Sequence, residues 1–315
     1  LAIAAHQKRF YQIDIDPDTG VVATTGASEA IASSLLALVE KGHEVVFFEP
    51  AFDVYRAIID LTGAIPVGVP LQKPDFRPDI QALAEAITPA TRVLLLNSPH
   101  NPSGIVFNRE ELSAIASIVI EHELIVISDE AYEHLWFDSH IHIPISTLPG
   151  MFERTITIGS GGKSFSFTGW KVGWASGPQS LISAVKAVRQ HLSYVSGGPF
   201  QLAIACGLGL PDQYFNEIRH GLSAKRDQLS AGLEHIGMRV IPTEGTYFVT
   251  TDISPIGFTD GFEFARMLAK KCQVIAIPHQ VFTESGQDFK EYVRWAFCKK
   301  PEVLAEATTR IRTIF

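Results

Sequence analysis

The sequence predicts an α/β fold: a mostly parallel central sheet flanked by helices, followed by a smaller α+β unit. Three observations predict it. Short apolar runs rich in branched residues alternate with amphipathic stretches through the first two thirds of the chain. Those runs are nearly continuous in Val, Ile, Leu and Phe, as expected of strands buried on both faces. After Gly209 the texture changes to longer polar helices and a few alternating strands.

Taken in order, LAIAAHQKRF reads as a helix that opens on Leu1 rather than Met, so a further N-terminal segment is expected to precede it. The runs EVVFFEP, AIPVGVP, RVLLLNSP, LIVISDE, TITIGS and VGWASGP read as strands. Between them, Ser28 to Lys41 and Arg109 to His122 carry apolar residues at helical spacing. The second part reads as a long helix from Pro211 to Ile236, then GTYFVTTD, a helix over Phe262 to Lys271, VIAIP, YVRWAFC and a final helix. The expected domains are therefore 1–209 and 210–315, with no internal repeat.

In doubly wound sheets, ligands bind at the carboxyl ends of the strands. Polar residues collect there: Asn97 and Asn101 after one strand, Asp129 and Tyr132 after the next, Ser160 and Lys163 after a third. One crevice could hold them all.

Composition excludes several classes. With 46% hydrophobic and 19% charged residues the chain is globular in balance. A net charge of −8 with scattered basic residues argues against a nucleic-acid partner. No apolar run is long enough to span a bilayer and no secretory signal pattern opens the sequence, so a soluble, cytoplasmic protein without a membrane partner is expected. Cys206, Cys272 and Cys298 are odd in number, widely spaced and set in apolar surroundings. They are expected to be buried free thiols in a reducing compartment, and no metal is expected.

The turn GSGGKS superficially matches a nucleotide-phosphate loop, but Thr157 stands where the first Gly of that motif belongs. Lys163 in this turn, at the end of a buried strand, is instead a candidate covalent attachment point.

Several motifs occur in one order: TTGASEA (24–30), NSPHNPSG (97–104), SDEAYEHLWF (128–137), SGGKSFSFTGWKVGW (160–174), EGTYF (244–248) and VRWAFCKK (293–300). Together they resemble the fold-type I aminotransferases that use pyridoxal 5′-phosphate, over nearly the whole chain. The variants PHNPSG, GTYF and RWAFCKK are most similar to the branch of kynurenine, methionine and N-succinyldiaminopimelate aminotransferases, the last slightly the closest.

The resemblance implies a role for each matching residue. Lys163 would condense with the cofactor aldehyde and then shuttle the proton between substrate Cα and cofactor C4′. Asp129 would keep the pyridine nitrogen protonated, and Tyr132 and Asn101 would hydrogen-bond the phenolic oxygen. Gly26, Ala27 and Ser28 open a helix whose free N–H groups would hold the phosphate, with Ser160 and Lys171. Phe52 would stack on the ring. Arg294 would grip the substrate α-carboxylate through parallel hydrogen bonds, with Asn101 and Tyr247 beside the substrate, and Tyr194 is a further candidate for the pocket wall. Lys171 stands where some branches have Arg, giving a point charge rather than a fork.

The implied reaction moves an amino group from an amino acid to a 2-oxo acid such as 2-oxoglutarate, with N-succinyl-LL-2,6-diaminopimelate, a lysine precursor, as the expected donor. A kynurenine- or methionine-type donor, a carbon–sulfur β-lyase of the same fold and a non-catalytic regulator domain are the alternatives. The family further implies a homodimer with a site near the subunit boundary. The expected preceding segment would bring a Gly-containing substrate loop and a Tyr reaching the partner's phosphate, and residues 1–315 without it are expected to be impaired.

Overall fold

The computed structural model describes residues 1–284 and 286–315. Seven strands, β1 (Val21–Thr24), β2 (Glu44–Glu49), β3 (Ile65–Pro70), β4 (Thr91–Asn97), β5 (Ile125–Asp129), β6 (Thr155–Ser160) and β7 (Gly173–Ser176), form one sheet. Their order is β1-β7-β6-β5-β4-β2-β3. The pairs from β6 through to β3 are parallel, whereas β7 runs antiparallel to both β6 and β1. VGWASGP is thus a strand, as its composition predicts, but one reversed within an otherwise parallel sheet.

Strand alternation explains the layers. Val45 and Phe47 of β2, Val93 and Leu95 of β4 and Ile127 of β5 face one side. There they meet α2 (Gly26–Leu38), α3 (Val54–Thr62) and α7 (Gln179–Leu192) through Ile31, Leu35, Ile59, Ile182 and Val185. The alternate residues Val46, Phe48, Leu94, Leu96 and Val126 face the other side, against α4 (Ile80–Glu85) and α5 (Arg109–Glu121). Such double coverage is why these strands carry no polar alternation. An Asn108 capping box, reciprocated by the Glu111 side chain, starts α5 at the expected place.

Helix α1 (Ala2–Tyr11) lies against α8 (Gly198–Leu208), and a four-residue helix, α6 (Gly161–Ser164), follows β6 directly. The later part of the chain begins with the long α9 (Asp212–His235) and builds a second, antiparallel sheet. Its strands β8 (Arg239–Ile241), β9 (Phe248–Asp252), β10 (Ile277–Pro278) and β11 (Tyr292–Ala296) are arranged β10-β11-β9-β8. Helices α10 (Gly261–Cys272) and α11 (Pro301–Arg312) close a core around Val249, Phe264, Leu268, Val293 and Trp295. VIAIP contributes only its last two residues to pairing.

The cysteine expectation needs correction. Cys272 is buried on the inner face of α10, but Cys206 and Cys298 are exposed. All three are free thiols. Among the described residues, no helix is long and apolar enough to cross a membrane.

Candidate active site

The carboxyl ends of β4, β5 and β6 open into a cavity of about 430 Å³ bounded on its far side by β9 and β11, a size suited to a small ligand. Gly26, Ala27, Ser28, Phe52, Asn101, Asp129, Tyr132, Ser160, Lys163, Lys171, Tyr247 and Arg294 all line it. These twelve residues span 269 positions; most follow parallel strands that deliver their loops to one edge, Lys171 leads into the reversed β7 at that same edge, and Tyr247 and Arg294 come from the second sheet. Tyr194 is not among them. It follows the end of α7 in a left-handed turn (φ 58°) that leaves the ring 74% exposed.

One end of the cavity is built for an anion. Helix α2 starts at Gly26 with no side-chain cap on its first-turn N–H groups. Gly26 adopts φ +75°, a conformation open to glycine at little cost, and the Lys171 side chain passes beside it. Gly173 is required by close approach: a Cβ there would lie 2.5 Å from the Gly26 carbonyl carbon and 2.6 Å from the Ala27 nitrogen. The start of β7 therefore abuts the first turn of α2 and fixes where its N–H groups point.

The middle holds a buried carboxylate. Asp129 accepts a 2.5 Å hydrogen bond from the Tyr55 hydroxyl at Oδ2 and a 3.1 Å bond from the Ala131 N–H at Oδ1. Burial pushes its carboxyl above the usual range, and the Tyr55 and Ala131 bonds and nearby Lys163 pull against that. Asn97 braces the same loop, its Nδ2 donating to the Asp129 carbonyl while its Oδ1 accepts the Asn101 N–H, both at 2.8 Å.

Lys163, on α6, donates to the Tyr247 hydroxyl at 2.6 Å, and its Nζ lies 5.6 Å from the Tyr132 ring centroid. Tyr132 and Tyr247 meet edge to face at 5.5 Å. Burial and the neighbouring Tyr247 and Asp129 drive the Tyr132 hydroxyl well above its ordinary pKa. At the far wall, Arg294 lies between the Phe248 and Phe282 rings at 4.1 and 4.6 Å. Its Nη1 donates to Asn101 Oδ1 at 2.6 Å, and burial lowers its pKa from the ordinary value. Half of the guanidinium fork is thus steadied while the cavity sees the rest.

The family pattern described as "Aminotransferase class I and II" matches residues 2–311. The chain belongs to the class I and II aminotransferases. Within this family it is 46% identical to the probable N-succinyldiaminopimelate aminotransferase DapC of Mycobacterium tuberculosis, covering 99% of this chain and 81% of that one. Kynurenine--oxoglutarate transaminase 3 of Mus musculus is 36% identical over 97% of this chain and 73% of its own. The solved structure of N-succinyldiaminopimelate aminotransferase from Mycobacterium tuberculosis superposes with a TM-score of 0.98, covering 100% of this chain and 82% of that one at 46% identity.

Aminotransferases of this class depend on pyridoxal 5′-phosphate, and the cavity fits that group by its donor set. It offers uncapped helix N–H groups and a lysine for a phosphate, an aromatic flank at Phe52, a buried carboxylate, and a primary amine just after the neighbouring parallel strand. Asn97, expected in the crevice without an assigned role, lines it as well, whereas Thr25, Ala131, Gly162, Thr168, Val172 and Phe248 were not expected from the sequence. Nor was Tyr55, which is buried behind Asp129. Its signal was its place one turn after Phe52 in PAFDVY, a spacing that puts both rings at one helix start.

Proposed function

We propose that this aminotransferase takes its amino group from N-succinyl-LL-2,6-diaminopimelate and passes it to 2-oxoglutarate, with Lys163, Asp129 and Tyr132 at the reacting centre. The observation that carries the reading is the convergence of an amine at Lys163, a buried carboxylate at Asp129 and a half-engaged guanidinium at Arg294 on one cavity. The 46% identity to a probable N-succinyldiaminopimelate aminotransferase supports the choice of donor.

When bound, the cofactor supplies an electron sink for the charge left when the substrate Cα loses its proton. The chain does the rest. Uncapped N–H groups of Gly26, Ala27 and Ser28, with Ser160 and the Lys171 charge, hold the phosphate. Asp129 would keep a proton on the ring nitrogen, helped by the Tyr55 and Ala131 bonds that favour its charged form. Asn101 has its Oδ1 engaged by Arg294, which leaves its Nδ2 free of that bond, so Asn101 and Tyr132 would be the donors to the cofactor's phenolic oxygen. Arg294 binds the α-carboxylate with its remaining donors, orienting the Cα–H bond. Lys163 would supply the amine that binds the cofactor aldehyde and, when free, the base that moves the substrate Cα proton, and Tyr247 accepts a hydrogen bond from that amine.

The residues 1–209 act as the cofactor-binding domain and 210–315 as the smaller one that carries Arg294. The chain works as a homodimer in the cytoplasm. In support of the dimer, Phe167, Trp170 and Phe200 stack in sequence beside the cavity residues Thr168 and Lys171. Next to that stack, Leu192, Tyr194, Val195 and Leu202 expose a further apolar area.

The test supplies purified protein with pyridoxal phosphate, 2-oxoglutarate and a panel of donors, and follows glutamate. N-succinyl-LL-2,6-diaminopimelate should exceed kynurenine and methionine by about ten-fold or more in kcat/KM, and Lys163→Ala should abolish both turnover and the visible cofactor band. Preference for another donor overturns the substrate. Pyruvate and ammonia from cystathionine without glutamate overturns the reaction.

A further inference from the structure

On the opposite side of the 129–134 loop from the cavity, α1 brings His6 against Glu133 and His134, all nearly inaccessible to solvent. His6 Nε2 and His134 Nε2 point at each other at 2.8 Å, their rings perpendicular (84°), and Glu133 Oε2 is 3.9 Å from His6 Nε2. One donor atom from each residue falls within 4.8 Å of the other two. Neither Glu133 oxygen makes a hydrogen bond of full geometry among the described residues, although the Tyr11 hydroxyl lies beside the carboxylate, and His6 Nδ1 makes none.

A hydrogen bond between two neutral imidazoles accounts for the histidine contact, and the Tyr11 hydroxyl offers the carboxylate a neutral donor but no countercharge. Burying it unpaired is costly. Next to it, Glu130 is buried as well, accepting from Ser128 Oγ at 2.8 Å and lying 2.9 Å from His142 Nε2. No lysine or arginine pairs with either carboxylate among the described residues. Arg9 and Arg219 lie near enough to act on the imidazoles and on Tyr11, but Arg9 is paired with Asp212 and neither forms an ion pair with Glu130 or Glu133 among the described residues.

We propose that His6, Glu133 and His134 form a structural binding site for a divalent zinc ion, a metal site that the wide spacing of its ligands hid in the sequence. Two imidazole nitrogens and one carboxylate oxygen are the donor set that zinc accepts, with water as the fourth ligand. Bonds of about 2.0–2.1 Å in tetrahedral geometry place ligand atoms about 3.3 Å apart. The histidine nitrogens need to part by about 0.5 Å, and the carboxylate to close by about 0.6 Å on His6 and by up to about 1.5 Å on His134, within the reach of side-chain rotation. The ion's two charges balance Glu133 and Glu130. It would tie α1 to the loop that carries Asp129 and Tyr132, and because the ligands are enclosed, loading accompanies the docking of α1. The site is independent of which amino donor the enzyme uses.

The experiment refolds the full chain with pyridoxal phosphate in the presence of zinc chloride, removes free metal by gel filtration and counts zinc by mass spectrometry. Wild type should retain about one zinc per chain, and His6→Ala and Glu133→Gln about ten-fold less. Cobalt(II) in place of zinc should give tetrahedral ligand-field absorption to the red of the cofactor band, absent in both variants. Wild-type protein holding no more zinc than background, or no more than His6→Ala, overturns the site and leaves a proton on Glu133 in the metal's place. The wild-type count stands whether or not a variant folds.

Discussion

Tyr55→Phe removes one oxygen and leaves the ring that packs behind Phe52. That oxygen donates at 2.5 Å to Asp129, whose carboxylate has one other direct donor, the Ala131 N–H. A hydrogen bond to a buried charged group is worth about 1.5–3 kcal/mol, and each pKa unit is about 1.4 kcal/mol. Asp129, already raised by burial, should rise by a further one to two units, roughly. Its hold on the ring proton weakens by the same factor, so cofactor affinity should drop about ten- to hundred-fold. The acidic limb of kcat/KM against pH should move upward by about one unit or more. Fluorescence titration of the apoprotein with pyridoxal phosphate and a pH–rate profile measure both. A merely structural Tyr55 would lower stability without moving the limb. An unmoved limb with unchanged cofactor affinity would refute the reasoning.

Gly173→Ala places a methyl 2.5 Å from the Gly26 carbonyl carbon, about 1 Å inside normal contact, so the first turn of α2 must shift. A 1 Å displacement of positioning groups costs up to about a hundred-fold. Equilibrium dialysis should show pyridoxal phosphate binding weakened well beyond ten-fold, roughly, and an unchanged affinity would show that the cradle does not depend on this contact. His100 is buried, its Nδ1 2.7 Å from Ser103 Oγ, and burial lowers its pKa from 6.5 to about 3. Between those values the unfolded chain takes up a proton that the folded chain refuses. Stability from this group is therefore complete above pH 6.5 and declines towards about 3. His100→Gln should flatten urea-derived stability against pH in that window by about 1.4 kcal/mol per unit; an unaltered slope would place the proton uptake elsewhere.

The fold was legible where chemistry is local. Runs such as VVFF and VLLL had to be buried on both faces, and the Asn108 to Glu111 box marked where α5 begins. The reversed β7 was not legible, since VGWAS reads the same in either direction. Among the predicted site residues, the twelve that line the cavity sit at strand ends, at helix starts or in motifs that a family resemblance could match. Tyr194, a further candidate for the pocket wall, lies outside those motifs, and the left-handed turn after α7 carries it to the surface.

By itself the sequence determined the α/β class, the strand ends that bear Asp129 and Lys163, and the lysine and arginine proposed to carry amino-group transfer. Tertiary structure alone decided who partners whom. Tyr55 reaches Asp129 across 74 positions and His6 meets His134 across 128. Local patterning reports which face of an element is buried, because burial follows period. It carries no record of which distant side chain shares that burial, because the choice is made only when the helices dock and the polar atoms at the contact must find partners.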